Sequence, residues 1–179
     1  MDLSLRAPFN GHYPVTFPFG ARPTEESIQN KFKNWGLIGH HGIDFMLPLS
    51  TLIYACDDGQ VTQTGPNGDF GISVIISHSW GESIYAHLKE TKVTINQLVK
   101  KGDSLGLSGE SGVVSGPHLH FGIKPKDAEI NNGYFGFIDP SPFIQYVDEK
   151  KENNTQNPQQ PATEVDKIVQ DLLKNRQNK

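Results

Sequence analysis

Cysteine is almost missing from this 179-residue sequence: Cys56 is the single one. No disulfide can close within the chain, and cysteine pairing says nothing about its compartment. Cys56 ends the strand-like run Leu52, Ile53, Tyr54, Ala55, where a lone thiol packs as a small hydrophobe. Basic excess is also lacking, since 16 Lys and Arg face 20 Asp and Glu for a formal charge of -4. That balance offers no electrostatic footprint for nucleic acid. No apolar run reaches the length of a membrane span. Residues 1–8, Met-Asp-Leu-Ser-Leu-Arg-Ala-Pro, lack the basic start and apolar stretch of a secretory signal, so no export address is expected in them.

Glycine and proline are plentiful, at 18 and 12 residues, and they punctuate short alternating apolar runs. Such punctuation favours β structure over a helix bundle. Strands are expected at 52–56, 60–64, 72–78, 83–88, 104–107 and 118–123, separated by turn sequences such as Asp57-Asp58-Gly59 and Pro66-Asn67-Gly68. Several strands at short intervals imply a mainly β, antiparallel sandwich or barrel. Residues 1–35 read as irregular, with a turn near Phe19-Gly20 and an ambiguous polar stretch from Glu25 to Trp35. The run 143–147 closes a domain that spans 1–147. Residues 148–163 are polar and read as a solvated linker. Beyond them, 164–176 form a short amphipathic helix, with Val165, Ile168, Val169, Leu172 and Leu173 at helical spacing. Alone in water so short a helix is marginal, so its stripe is expected to dock on the domain, self-associate, bind a partner or continue into further sequence.

The chemistry concentrates in two segments. Gly39-His40-His41-Gly42-Ile43-Asp44 and Gly116-Pro117-His118-Leu119-His120-Phe121 together offer imidazoles and a carboxylate, donors that suit zinc. On a strand, His118 and His120 share a face roughly 7 Å apart, so one ion can hold one of them with the other as its neighbour. His40 and Asp44 would lie about 13 Å apart if extended, so the chain must bend between them, and Gly39 and Gly42 would permit the bend. His41 could replace His40 in a shifted register, or serve as a supporting or substrate contact. His87, in Tyr85-Ala86-His87-Leu88, is marked by nothing local, although Tyr85 and His87 could share a face toward one groove. His12 reads as a surface residue, and His78 as a surface or supporting one. Asn132 and Tyr134, in a later glycine-containing loop, either line a cleft or lie on an ordinary surface.

Three separated blocks resemble those of the lysostaphin-like, LytM-type zinc endopeptidases that cut peptidoglycan cross-links. They are His40 to Asp44 (His-x-Gly-x-Asp), Tyr85 to Leu88 (Tyr-Ala-His-Leu), and Gly116 to Phe121 (Gly-Pro-His-Leu-His-Phe). Minor agreements lie in Phe19-Gly20-Ala21-Arg22, Lys101-Gly102-Asp103 and Gly106-Leu107-Ser108-Gly109. The resemblance covers roughly residues 15–147, and it implies an open groove on an antiparallel β domain. It also implies one Zn2+ per chain held by His40, Asp44 and His120, with His87 and His118 acting on a metal-activated water and on the developing oxyanion. Three protein ligands leave a fourth position open, as in catalytic zinc sites. No Glu stands beside a ligand as in His-Glu-x-x-His proteases, which makes imidazole the natural base.

The expected activity is hydrolysis of amide bonds in peptidoglycan stem peptides or cross-bridges. The rival from another class is a non-hydrolytic peptidoglycan-binding or regulatory module of the same fold. A histidine phosphocarrier would have little use for Asp44. The implied substrate places the action at the cell wall or periplasm, or in a phage particle or lysis system.

Overall fold

The computed structural model describes residues 3–148; the expected polar linker and amphipathic helix lie outside them, apart from Asp148. Eleven strands and one helix are found among the described residues. In chain order they are β1 (Leu5–Asn10), β2 (Val15–Phe17), α1 (Glu26–Trp35), β3 (Ile43–Phe45), β4 (Leu52–Tyr54) and β5 (Gly59–Pro66). There follow β6 (Ile72–Ser77), β7 (Gly81–Thr91), β8 (Leu98–Val99), β9 (Ser104–Ser108), β10 (Leu119–Pro125) and β11 (Ile144–Val147).

The main sheet runs β2-β3-β10-β7-β6-β5-β8, and all of its pairings are antiparallel. The long strand β7 serves two neighbourhoods. Its first part pairs with β6 and β10, and its end, from Leu88, turns to β9, which carries β4. Alternating residues of these strands meet in one core that includes Phe45, Ile53, Val74, Ile76, Leu119 and Phe121.

The expected mainly β, antiparallel architecture is present, and each of the six expected strands is found within a few residues of its expected bounds. The first 35 residues are the correction. They hold β1, β2 and α1 rather than irregular chain. Leu5, Ala7 and Phe9 alternate into the core, and β1 pairs in parallel with β11, nearly 140 residues away. Pro8 disguised that alternation, and a partner so distant leaves no local signal. Helix α1 buries none of its residues, so its register was set by no core stripe. Gly36, at φ 78°, ends it, its N–H bonding back to the Lys33 and Phe32 carbonyls.

Candidate metal centre and groove

The site is assembled by strand pairing. In the β3–β10 ladder Asp44 stands directly opposite His120, and Ala86 on β7 stands opposite His120 from the other side. Strand pairing alone therefore brings the early carboxylate, the late imidazole and the neighbourhood of His87 together. His40 arrives from the turn before β3. Its Nε2 lies 3.2 Å from Asp44 Oδ1 and 3.0 Å from His120 Nδ1, and the third side of the triangle, His120 Nδ1 to Asp44 Oδ1, is 3.0 Å.

Three donor atoms so close together suit a single small cation. Tetrahedral zinc with ligands at 2.0–2.1 Å sets its donors about 3.3 Å apart, close to this triangle. Tautomer chemistry agrees. His40 Nδ1–H donates to the Phe17 carbonyl at 3.1 Å, with Pro18 O at 3.3 Å, which leaves Nε2 as a lone-pair donor facing the other two. His120 turns Nδ1 toward the other two donors, while its buried Nε2 has no hydrogen-bond partner. Burial alone would raise the Asp44 pKa. The hydrogen bonds and charges of His120 and His40 outweigh it and hold the carboxyl well below the usual carboxylate range.

His41 offers a competing set, because His40, His41 and His120 each present a nitrogen within 4.8 Å of the others. The triangle that includes Asp44 is tighter, and it supplies the negative charge that a dication needs. The His41 ring instead stacks on Phe70 at 5.5 Å, and burial pushes its pKa down to about 3. It is a neutral wall of the groove whose buried Nδ1 has no protein partner.

Glycines at the turn act through space rather than through backbone angle. The chain bends there as expected, yet neither Gly39 nor Gly42 adopts a positive φ. A Cβ on Gly42 would meet His120 Cε1 at 2.5 Å and Nε2 at 2.7 Å, and one on Gly39 would meet the Gly20 carbonyl oxygen at 2.5 Å. Gly42→Ala is expected to push His120 out of the triangle and weaken zinc binding by at least about tenfold, measured by competition with a chelating dye.

His87 and His118 flank the triangle. Their rings are 4.7 Å apart, and His118 Nε2 lies 3.8 Å from Asp44 Oδ2. Each donates Nδ1–H to a backbone carbonyl, His87 to Ser111 at 2.8 Å and His118 to Gly116 at 2.9 Å, so each keeps Nε2 free. Among the described residues His87 is one of four non-glycine residues with a positive φ, at 61°. Burial lowers its pKa to about 4, so it is neutral at neutral pH.

That backbone angle also breaks the strand alternation. Tyr85 does not share the groove with His87: it is fully buried, and its hydroxyl accepts a bond from the Cys56 N–H at 2.8 Å. His78 belongs to the same interior network rather than to the surface. It is 8% exposed, bonds Asp58 O and Ser83 Oγ at 2.7 Å each, and stacks on Trp80. Burial pushes the Cys56 thiol up to about 11, so it behaves as an inert core group. Asn132 and Tyr134 do not line the groove. Asn132 Oδ1 instead ties its own loop by accepting the N–H of Tyr134 and Gly136.

An open cavity of about 900 Å³ runs past the triangle. His40, His41, Asp44, His87 and His118 form part of its lining, together with Phe70 and Phe137. Its far wall is α1, whose Ile28, Phe32 and Trp35 recur at helical spacing toward the cavity. These aromatics escaped the sequence reading because an apolar residue lining a groove looks like one bound for a core.

Residues 38–132 match the sequence profile of Peptidase family M23. The peptidoglycan DD-endopeptidase ShyB of Vibrio cholerae is 33% identical over 131 residues, covering 70% of this chain and 30% of the relative. A zinc-containing peptidase from Vibrio cholerae superposes with a TM-score of 0.60 at 27% identity, over 74% of this chain and 37% of that one. The catalytic domain of lysostaphin from Staphylococcus simulans, at 24% identity, shares the fold, with a TM-score of 0.59 over 73% of this chain and 91% of that one. The chain spans less than a third of the length of the curated relatives it matches.

Proposed function

The chain belongs to peptidase family M23, and on that premise we propose that it is a zinc endopeptidase hydrolysing amide bonds in peptidoglycan peptide cross-links. The observation that carries this reading is the triangle of His40 Nε2, Asp44 Oδ1 and His120 Nδ1, with sides of 3.0–3.2 Å, at the floor of an open groove. These three residues would hold one zinc ion. Bound there, zinc would supply Lewis acidity toward a water molecule and toward the scissile carbonyl.

The remaining work falls to side chains of the chain itself. His87, with its proton on Nδ1 and a bare Nε2, accepts the proton of the attacking water. His118, whose ring lies 4.7 Å from that of His87 and whose Nε2 is 3.8 Å from the Asp44 carboxylate, flanks the triangle and would stabilise the developing oxyanion. The proton taken by His87 then passes to the leaving amine. The aromatic walls, Phe70 and Phe137 on one side and Phe32 and Trp35 on α1, clamp an extended peptide and exclude water from the scissile bond. Action at the cell wall follows from that substrate.

The test is mass spectrometry of fragments released from purified peptidoglycans that carry direct stem-peptide or glycine-rich cross-links. New amine and carboxyl ends at one cross-link type, dependent on zinc, are expected. A zinc-loaded chain that binds these polymers and cuts none would make it a binding module of the same fold.

A further inference from the structure

The base proposed above is held by a residue that neither the sequence motifs nor the metal triangle singles out. We propose that Ser111, in the loop between β9 and β10, is a positioning residue that fixes the tautomer and the direction of the His87 imidazole. The inference rests on the hydrolytic reading for its kinetic consequence but not for its geometry.

Ser111 makes three hydrogen bonds with three different partners. Its carbonyl accepts His87 Nδ1–H at 2.8 Å. Its hydroxyl donates to the Leu88 carbonyl at 2.6 Å and accepts the Ile72 N–H at 2.8 Å. The side chain thus pins its own residue to β6 and to the residue immediately after His87, and the main-chain carbonyl then faces the ring. A hydroxyl is suited to the task because it donates and accepts at one atom. Ile72 and Leu88 are paired across β6 and β7, and the register slips just beyond, where Val74 stands opposite Tyr85. Ser111 therefore fills the interruption that His87, at φ 61°, creates in the ladder.

The loop is pressed onto this spot from behind. A Cβ on Gly71 would meet the Ser111 carbonyl carbon at 2.4 Å and its two oxygens at 2.5 Å. A Cβ on Gly112 would meet the Asp69 carbonyl oxygen and the Gly71 nitrogen at 2.5 Å, and the Val113 N–H donates to the Asp69 carbonyl. Two bare glycines let the segments lie in contact, and the Ser111 hydroxyl sets their register. With the Ser111 carbonyl fixed, the His87 proton is kept on Nδ1 and the Nε2 lone pair is turned to the groove.

Nitrogen-15 NMR of the zinc-loaded full chain tests this directly. The wild-type His87 ring is expected as the Nδ1–H tautomer, with a slowly exchanging Nδ1 proton that is lost in Ser111→Ala. In kinetics, Ser111→Ala is expected to lower kcat about tenfold to a hundredfold, with KM and zinc content changed by less than about twofold. In a His87→Ala background the same substitution should cost nothing further, because its effect passes through that ring. A Nε2–H tautomer in the wild type overturns the proposal whatever the variants do. So does a loss in Ser111→Ala of equal size with and without His87, which would mark a purely structural role. If the wild type cuts no cross-link, the hydrolytic reading fails and the NMR result alone decides on Ser111.

Discussion

Replacing Asp44 with alanine is expected to remove bound zinc and turnover together. Its Oδ1 is 3.0 Å from one imidazole nitrogen and 3.2 Å from another, and it brings the only carboxylate to the triangle. Two imidazoles remain in the variant, short of the three ligands and the carboxylate charge that such a zinc site uses. The carboxyl is held well below its usual range, so it is ionised near neutral pH. The expected result is a fall from about one zinc per chain to near none, read by inductively coupled plasma mass spectrometry on dialysed protein, with hydrolysis lost in parallel. Core packing should be unaffected, because the core lies on the other face of β3, where Ile43 and Phe45 point.

His87→Ala should separate what Asp44→Ala joins. The ring donates to Ser111 and faces His118, and no atom of it takes part in the triangle. Its removal is expected to leave about one zinc per chain and to lower kcat by about 10²–10⁴, the usual worth of a positioned general base. KM should change far less, since the groove walls that grip the peptide are untouched. Loss of zinc in this variant would show that the imidazole serves the metal and would reverse the division of roles.

Much of the site was legible from residue type and spacing. The strand period placed His118 and His120 on one face, with Leu119 and Phe121 in the core, and the structure agrees. The need for a bend between His40 and Asp44 was also legible, since an i,i+4 pair on an extended chain cannot otherwise close to 3.2 Å. The reason for the glycines there was not, because it depends on distant neighbours, the Gly20 carbonyl against Gly39 and the His120 ring against Gly42. Tyr85 was misread for a related reason. Alternation assumes regular strand angles, and a single positive φ at His87 turns the face of everything beyond it. β1 escaped notice because the strand it pairs with, β11, lies at the far end of the domain. Helix α1 was ambiguous because its apolar residues line a groove. Ser111 sits between two motifs and carries no chemistry of its own type; only its three partners reveal it.

The most direct test of the account is anomalous diffraction at the zinc edge from crystals of the zinc-loaded chain. One peak is expected, about 2.0–2.2 Å from His40 Nε2, an Asp44 carboxylate oxygen and His120 Nδ1, with a fourth position open to the groove. A peak bound by His41 in place of Asp44, or no peak at saturating zinc, would contradict it.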